Sequence, residues 1–357
     1  MSDGLQMLSA IGKLVAGNGA FSWDWSDSRL VRASDTLVTA VWPAANAADK
    51  ARHAADLAPF EAAHDLNAVR NADLRRQIEA VGICLNRAGI VPVLLKGASH
   101  LATDLWPTPG SRLLADLDLL VPQGQLQTAH RTLLELAGRG AQAPGHPELV
   151  AQHKHLLPVV GAGGQAPVEL HHAILPEEAR ALAPAEDIIA RSEEIVLGQA
   201  RLRVPAPTDR VLIAMLHGPA GGGTYLAPML QMRDLLDIRF LAARHGDRID
   251  WDWLERHLAG AGWSGVLEIT NRCLVRFTGY APPVRRCGPV ARLDAARWVW
   301  QLDHPRSRRV GLAANLARYT LRSLARGGEP RRRAIRYLGQ PETYRRAYRR
   351  YVLGRSA

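Results

Sequence analysis

Apolar residues recur along this chain with two different periods, and the change of period divides it. Leu74, Ile78, Val81 and Leu85 are spaced four, three and four apart, one face of a 3.6-residue helix that Gly89 stops. Upstream of them, residues 1–74 read as an Ala-rich helical region interrupted near Trp42-Pro43. Residues 91–95 then form a short apolar run of strand length. Lys96-Gly97-Ala98-Ser99 turns that strand into a helix reaching Leu105 or Trp106, and Pro107, Pro109 and Gly110 force a loop. Residues 117–121 resume as a strand that Pro122 ends, and a helix follows over about 125–137. After a Pro/Gly loop, residues 153–160 and 167–175 read as two strands joined at Gly161-Ala162-Gly163-Gly164, a hairpin signal. Strand, helix, strand, helix and hairpin within residues 75–176 predict a small mixed sheet with helices on it, an α+β arrangement.

From about residue 176 the pattern is helical. Pro207-Thr208-Asp209 opens an apolar helix ending near His217, and GPAGGGTYLAP is a loop that serves as a hinge or a plain link. Met229, Met232, Leu236 and Phe240 mark an amphipathic helix that stops at His245-Gly246, and residues 249–258 mark another. Residues 177–280 therefore read as a helical domain and 281–357 as a further helical region.

Charge changes the picture only at the end of the chain. Residues 281–357 carry 19 Arg, no Lys and four acidic residues, a net +15, which leaves −4 for the rest of a chain whose formal charge is +11. Arginines and aromatics interleave in RRRAIRYLGQPETYRRAYRRY. That pattern suits nucleic-acid backbones and bases, an anionic membrane surface, or simply a solvated helix face. A hydrophobic content of 47% excludes wholesale disorder, and no apolar run has transmembrane length, so the expected location is cytoplasmic. Cys84, Cys273 and Cys287 form no CxxC pair, which argues against a structural zinc site or a disulfide framework.

The candidate chemistry sits in VPVLLKGASHLATDLWPTPGSRLLADLDLLV, residues 91–121. Asp116 and Asp118, two apart in a strand, point to one face while Leu117 and Leu119 point to the other. Acids so placed call for a cation, and a divalent metal that brings in a phosphate is the natural one. Glu169, mid-strand in PVELHHAIL, is the best third carboxylate. The alternative is a solvent-facing edge strand with Glu169 paired to an Arg. At the Lys96-Gly97-Ala98-Ser99 turn, amides at a helix start favour anions. Gly97 allows close approach there, and Ser99 or Lys96 reaches phosphate oxygens; a plain tight turn is the competing reading. A zinc site from His153, His155 and Glu169 can also be drawn.

These residues resemble the uncharacterised nucleotidyltransferase family of the polymerase-β-like superfamily, with its KG turn, an Arg before the acidic pair and a DxDxLV strand. The likeness continues through HKHLLPVV, VELHHAIL, DRVLIAMLHG and MLQMRDLLDIRFLAARHG, over roughly residues 75–265. It implies a nucleotidyltransferase sheet, two Mg²⁺ ions and a nucleoside triphosphate donor. Asp116, Asp118 and Glu169 would hold the metals, with Glu169 also helping to deprotonate the acceptor. Lys96, Gly97, Ser99 and Arg112 would bind the nucleotide, and His171, His217 and Asp234 are supporting candidates. The long, proline-bearing link before Asp116 departs from the superfamily pattern. The reaction expected is transfer of a nucleoside monophosphate to a hydroxyl or phosphate acceptor with release of pyrophosphate. Phosphoryl transfer at the same acids, or a non-catalytic protein that binds nucleic acid or membrane through its basic tail, are the alternatives.

Overall fold

A computed structural model of the chain describes residues 3–304 apart from 20, 22, 139–153, 162–165, 222–227 and 286, together with 307, 321 and 324; the side chain of 178 is also outside it. Among the described residues five α-helices precede the sheet: α1 (Asp3–Val15), α2 (Leu30–Ser34), α3 (Val38–Ala44), α4 (Ala47–Arg52) and α5 (Ala54–Arg87). The expected interruption near Trp42-Pro43 falls at Ala45-Asn46, where Asn46 accepts a hydrogen bond from the Asp49 amide and caps α4.

The sheet region contains β1 (Val93–Leu94), α6 (Lys96–Ala102), β2 (Leu117–Leu120), α7 (Leu126–Ala137), β3 (Val168–His171), α8 (Ala185–Arg191), β4 (Glu193–Leu197) and β5 (Ala200–Val204). The strands lie in the order β3-β2-β1-β5-β4. β1 is antiparallel to β2 and parallel to β5, β2 is parallel to β3, and β4 and β5 form an antiparallel hairpin. The mixed sheet of an α+β fold is thus present.

Three expectations need correction. The stretch after residue 176 is not all helix, because β4 and β5 complete the sheet. Their signal was legible: Ala200, Leu202 and Val204 are buried while Arg201 and Arg203 are not, a period of two after the left-handed Gly198 (φ +56°). The arm expected at 153–160 is not a continuous strand; it meets β3 through two antiparallel bridges, His155 to His171 and Val159 to Val168, and His153 lies outside the described residues. Finally, α6 stops at Ala102 rather than near Trp106, and Asp104 leaves it with φ +48°.

The C-terminal helices are α9 (Pro207–Leu216), α10 (Met232–His245), α11 (Trp251–Gly260), α12 (Ser264–Thr278) and α13 (Pro289–Asp303). α9 runs into a π-helical turn, His217–Gly221. The arginine clusters at 331–333 and in YRRAYRRY lie outside the described residues, and no described helix is long and apolar enough to cross a membrane.

The alternation of β-strand side chains gives the sheet two different faces. Leu94, Leu117, Leu119, Val168 and Leu170 pack with Leu74, Ile78, Val81 and Leu85 of α5 and with α7 in one core. Val93, Leu95 and Leu120 belong to a second core shared with α9, α10 and α12. At Gly82 a Cβ would stand 2.7 Å from the Ala200 Cβ, so α5 lies as close to β5 as a glycine permits. Asp118 points to the face of the second core. Any chemistry on that face therefore happens between the sheet and the C-terminal helices.

Candidate active site

Register brings the acids together. Asp118 and Glu169 are direct partners across the parallel β2–β3 pair, and His171 follows Glu169 by two residues on the same face. Asp118 is 3% exposed. Its Oδ1 accepts from Lys96 Nζ at 2.8 Å and from His171 Nε2 at 2.7 Å, whereas Oδ2 has no hydrogen bond among the described residues. The Glu169 Oε2 lies 3.6 Å from His171 Nε2 and 3.5 Å from His155 Nε2. One ligand atom each from Asp118, Glu169 and His171 fall within 4.8 Å of one another. His171, expected to orient Glu169, is bonded more closely to Asp118.

Asp116 lies just before β2, half-buried, with no hydrogen bond or ion pair among the described residues. Burial, then repulsion from Asp118 and Glu169, raises its pKa. Burial also disfavours the Asp118 carboxylate, but Lys96 and His171 outweigh it and hold its pKa well below the usual carboxylate range. The His171 ring close by is the main reason the Glu169 pKa is lowered, burial opposing it. Asp116 with no hydrogen-bond partner and Asp118 with one open oxygen leave this face with negative charge that Lys96 and Arg233 meet only in part. Its hard oxygen donors are of the kind that hold magnesium.

Two lysines face these acids. Lys96 opens α6 with φ +44°, a left-handed conformation costly for a side chain with a Cβ. Its carbonyl accepts from Ser99 Oγ at 2.8 Å, and the Leu95 amide before it donates to the Asp118 carbonyl at 2.9 Å. Burial opposes the Lys96 ammonium, and the carboxylates of Asp118, Asp116 and Glu169 overcome it and raise its pKa. Lys154 is pushed down to about 8 by burial and by neighbouring Lys96, against the pull of Asp118 and Glu169. The sequence reading passed over Lys154, although it sits at the centre of HKH in the strip that bridges β3.

Other expected nucleotide contacts are committed elsewhere. Ser99 is fully buried and bonded to the Lys96 carbonyl, so its hydroxyl is turned away from the cleft. Gly97 makes room for protein rather than phosphate: a Cβ there would stand 2.5 Å from Arg112 Nη1 and 3.0 Å from Leu114 Cγ. Arg112 is buried, not free to meet a triphosphate. Its Nε and Nη2 donate to the two oxygens of Asp237 at 2.9 and 2.7 Å, a bidentate pair.

Asp237, on α10 and 1% exposed, is a hub that sequence reading missed. It also accepts from Trp106 Nε1 at 2.6 Å and lies 3.3 Å from His100 Nε2. Arg210 on α9 donates to His100 Nδ1 at 2.7 Å. A guanidinium only donates, so Nδ1 accepts and the ring proton is on Nε2, facing Asp237. Burial pushes the His100 pKa down to about 4, in keeping with this neutral ring. The available signal was Asp237 itself, an acid between Leu236 and Ile238 on an otherwise apolar helix face.

The loop before Asp116 is held from α5. Asn67 Nδ2 donates to the carbonyls of Gly110 and Arg112 at 2.7 and 3.0 Å, and Asn71 Nδ2 to those of Pro109 and Arg112 at 2.7 and 2.9 Å. Arg70 donates to the Leu114 carbonyl. His217 and Asp234 bond to each other, Nδ1 to Oδ2 at 2.9 Å, and line a cleft with Lys96, His100, Arg210 and Asp237.

The family model described as uncharacterised nucleotidyltransferase matches residues 27–279, most of the chain. No curated protein matches it. A solution structure of the antibiotic-resistance factor ANT(2'')-Ia is similar over 54% of this chain and 92% of that one, at 13% identity and a TM-score of 0.38, too distant a likeness to carry an argument.

Proposed function

The chain belongs to the uncharacterised nucleotidyltransferase family, and on that premise we propose that it transfers a nucleoside monophosphate from a nucleoside triphosphate, with magnesium, to a hydroxyl or phosphate acceptor and releases pyrophosphate. The observation that carries this reading is the register of Asp118 against Glu169, with the unpaired Asp116 carboxylate beside them. A residue pattern of short DxD type is common; here register pairs Asp118 with Glu169, and Asp116 lies near enough for both to repel it.

Asp116, Asp118 and Glu169 would hold the metal. When bound, it supplies Lewis-acid stabilisation of the phosphoryl oxygens and lowers the pKa of the acceptor hydroxyl. Lys96 and His171 fix Asp118 by occupying Oδ1, which turns Oδ2 outward. Lys96 and Lys154 supply positive charge for the triphosphate. Glu169, whose Oε2 lies 3.5 Å from His155 Nε2, would be the carboxylate that takes the acceptor proton.

The test is to incubate the protein with each nucleoside triphosphate, Mg²⁺ and a cell extract, and to assay phosphate products. Pyrophosphate release that falls by about a thousandfold or more in Asp118→Ala and in Asp116→Ala, with unchanged circular dichroism, is the expected result. Release of a nucleoside diphosphate instead would make the reaction a phosphoryl transfer, and full turnover in both variants would move the site elsewhere.

A further inference from the structure

One imidazole of the site turns a nitrogen towards a carboxylate without bonding to it. His155 stands opposite His171 across an antiparallel bridge, so its side chain shares a face with His171 and with Glu169, two residues earlier on β3. The Leu156 amide donates to the Leu170 carbonyl at 2.8 Å and the His172 amide to the Lys154 carbonyl at 3.0 Å, which holds the strip in that register. His155 Nδ1 lies 2.8 Å from the Leu156 carbonyl, and since a carbonyl only accepts, Nδ1 carries the proton. In the neutral ring Nε2 is then a bare lone pair. It lies 3.5 Å from Glu169 Oε2, and no hydrogen bond joins the two among the described residues.

Two acceptors facing each other at that range repel unless a proton or a cation stands between them. A proton there makes a charge-assisted hydrogen bond, which closes to about 2.7–2.9 Å. A metal holds its ligands wider: two donors each about 2.0–2.2 Å from one ion stand roughly 3.3–3.6 Å apart in a tetrahedral set. The observed 3.5 Å is of the second kind. An imidazole whose far nitrogen donates to a backbone carbonyl is also the form in which histidine binds metals, because that bond fixes tautomer and ring together. His171 is differently placed, with Nε2 2.7 Å from Asp118 Oδ1 and Nδ1 3.3 Å from the Ala173 carbonyl, so both of its nitrogens are engaged. The His155 and Glu169 side chains are 24% and 19% exposed, open enough to admit an ion and sheltered enough to hold it. Asp118, the register partner of Glu169, keeps Oδ2 free of hydrogen bonds among the described residues and is the further donor at hand.

We infer that His155 Nε2 and Glu169 Oε2 ligate one divalent cation, which gives the Glu169 end of the acidic site a nitrogen ligand and a preference for a transition ion of the Zn²⁺ or Co²⁺ kind over Mg²⁺. Imidazole suits such ions, whereas Mg²⁺ keeps to oxygen donors. This deepens the proposed function and rests on its metal site, leaving Mg²⁺ to Asp116 and Asp118.

The test adds Co²⁺, a paramagnetic stand-in for Zn²⁺, to the full-length wild-type protein in excess Mg²⁺, with binding followed by calorimetry. A metal-bound imidazole moves its Nδ1–H proton far downfield in the ¹H spectrum, to a signal that disappears in D₂O. The expected result is such a signal in the wild type that is absent from His155→Gln. Zn²⁺ affinity should fall about tenfold or more in that variant while Mg²⁺ affinity stays within about twofold, whereas loss of a ring that merely packs would move both together. His155→Asn replaces the variant where Gln does not fold. Bound Co²⁺ without a downfield signal, or signals that all survive in the folded variant, overturns the inference while the function stands. If the His155 signal is present but a non-hydrolysable ATP analogue with Mg²⁺ does not bind, the cation site stands and the nucleotidyltransferase reading of this chain fails. If neither cation binds, with or without the analogue, both fail.

Discussion

The two oxygens of Asp118 do different work, and that difference comes from its neighbours. Lys96 and His171 both donate to Oδ1, so the carboxylate cannot rotate without losing two charge-assisted or near-charge-assisted bonds. The same logic of fixed partners makes His100 a pH sensor for stability. Its pKa falls from 6.5 to about 4 in the folded protein, with burial as the main cause. The unfolded chain therefore binds a proton at this ring before the native protein does. Stability from His100 is present above about pH 6.5 and is lost as pH falls towards 4, on the order of 3 kcal/mol in full. Asp118 and Asp237, both held below the carboxylate range, begin to lose their contributions only below about pH 4. Urea midpoints measured between pH 7 and 4 should fall in the wild type, and His100→Gln should flatten much of that fall.

At the scale of elements, the long helix α5 acts as a clamp for the proline-bearing loop. Asn67 and Asn71 lie four residues apart, one helical turn, and both reach the Arg112 carbonyl. This pins the backbone of Arg112 so that its side chain can meet Asp237. At Gly110, a Cβ would stand 2.5 Å from the His64 carbonyl oxygen, so the loop lies directly on the helix. Replacing either Asn with Ala should cost about 1–3 kcal/mol, since buried carbonyls lose their donor. The double variant should cost more than the sum of the singles, because each single leaves the Arg112 carbonyl one donor and the double leaves it none. Chemical denaturation of the four proteins in the cycle measures this coupling, and strict additivity would show that the clamp is not shared.

At the scale of the molecule, Asp237 ties the sheet to the helical body. It stands on α10 yet binds Arg112 from the approach to β2, Trp106 from the loop and His100 from α6. Asp237→Asn keeps the shape and removes the charge, leaving Arg112 buried with no carboxylate to pair with. It should destabilise the protein by about 3–5 kcal/mol, read as a lower denaturation midpoint. Pyrophosphate release should suffer as well, since the two walls of the cleft would lose their common anchor. Activity and stability unchanged together would mean that the hub is not what joins them.

The elements around the acids could be read from the chain because their causes are local. A period of 3.6 in Leu74 to Leu85, the Lys96-Gly97 turn and an aliphatic strand bearing Asp116 and Asp118 each depend on a few adjacent residues. The same local reading proposed Glu169, and register then made it the direct neighbour of Asp118. What the sequence did not disclose depends on contacts between residues far apart. Arg112 and Asp237 are 125 positions apart, and their pairing turned an expected phosphate ligand into part of the scaffold. Gly97 reads as a gap for phosphate until Arg112 is seen to fill it. The hairpin from Glu193 to Val204 had a visible period of two, but its place beside β1 was decided by the parallel pairing of Val93 with Arg203. Periodicity sets which face of an element is apolar; only packing decides which charged groups on the other face find one another, because that choice is made by distance in space and by the cost of burying a charge alone.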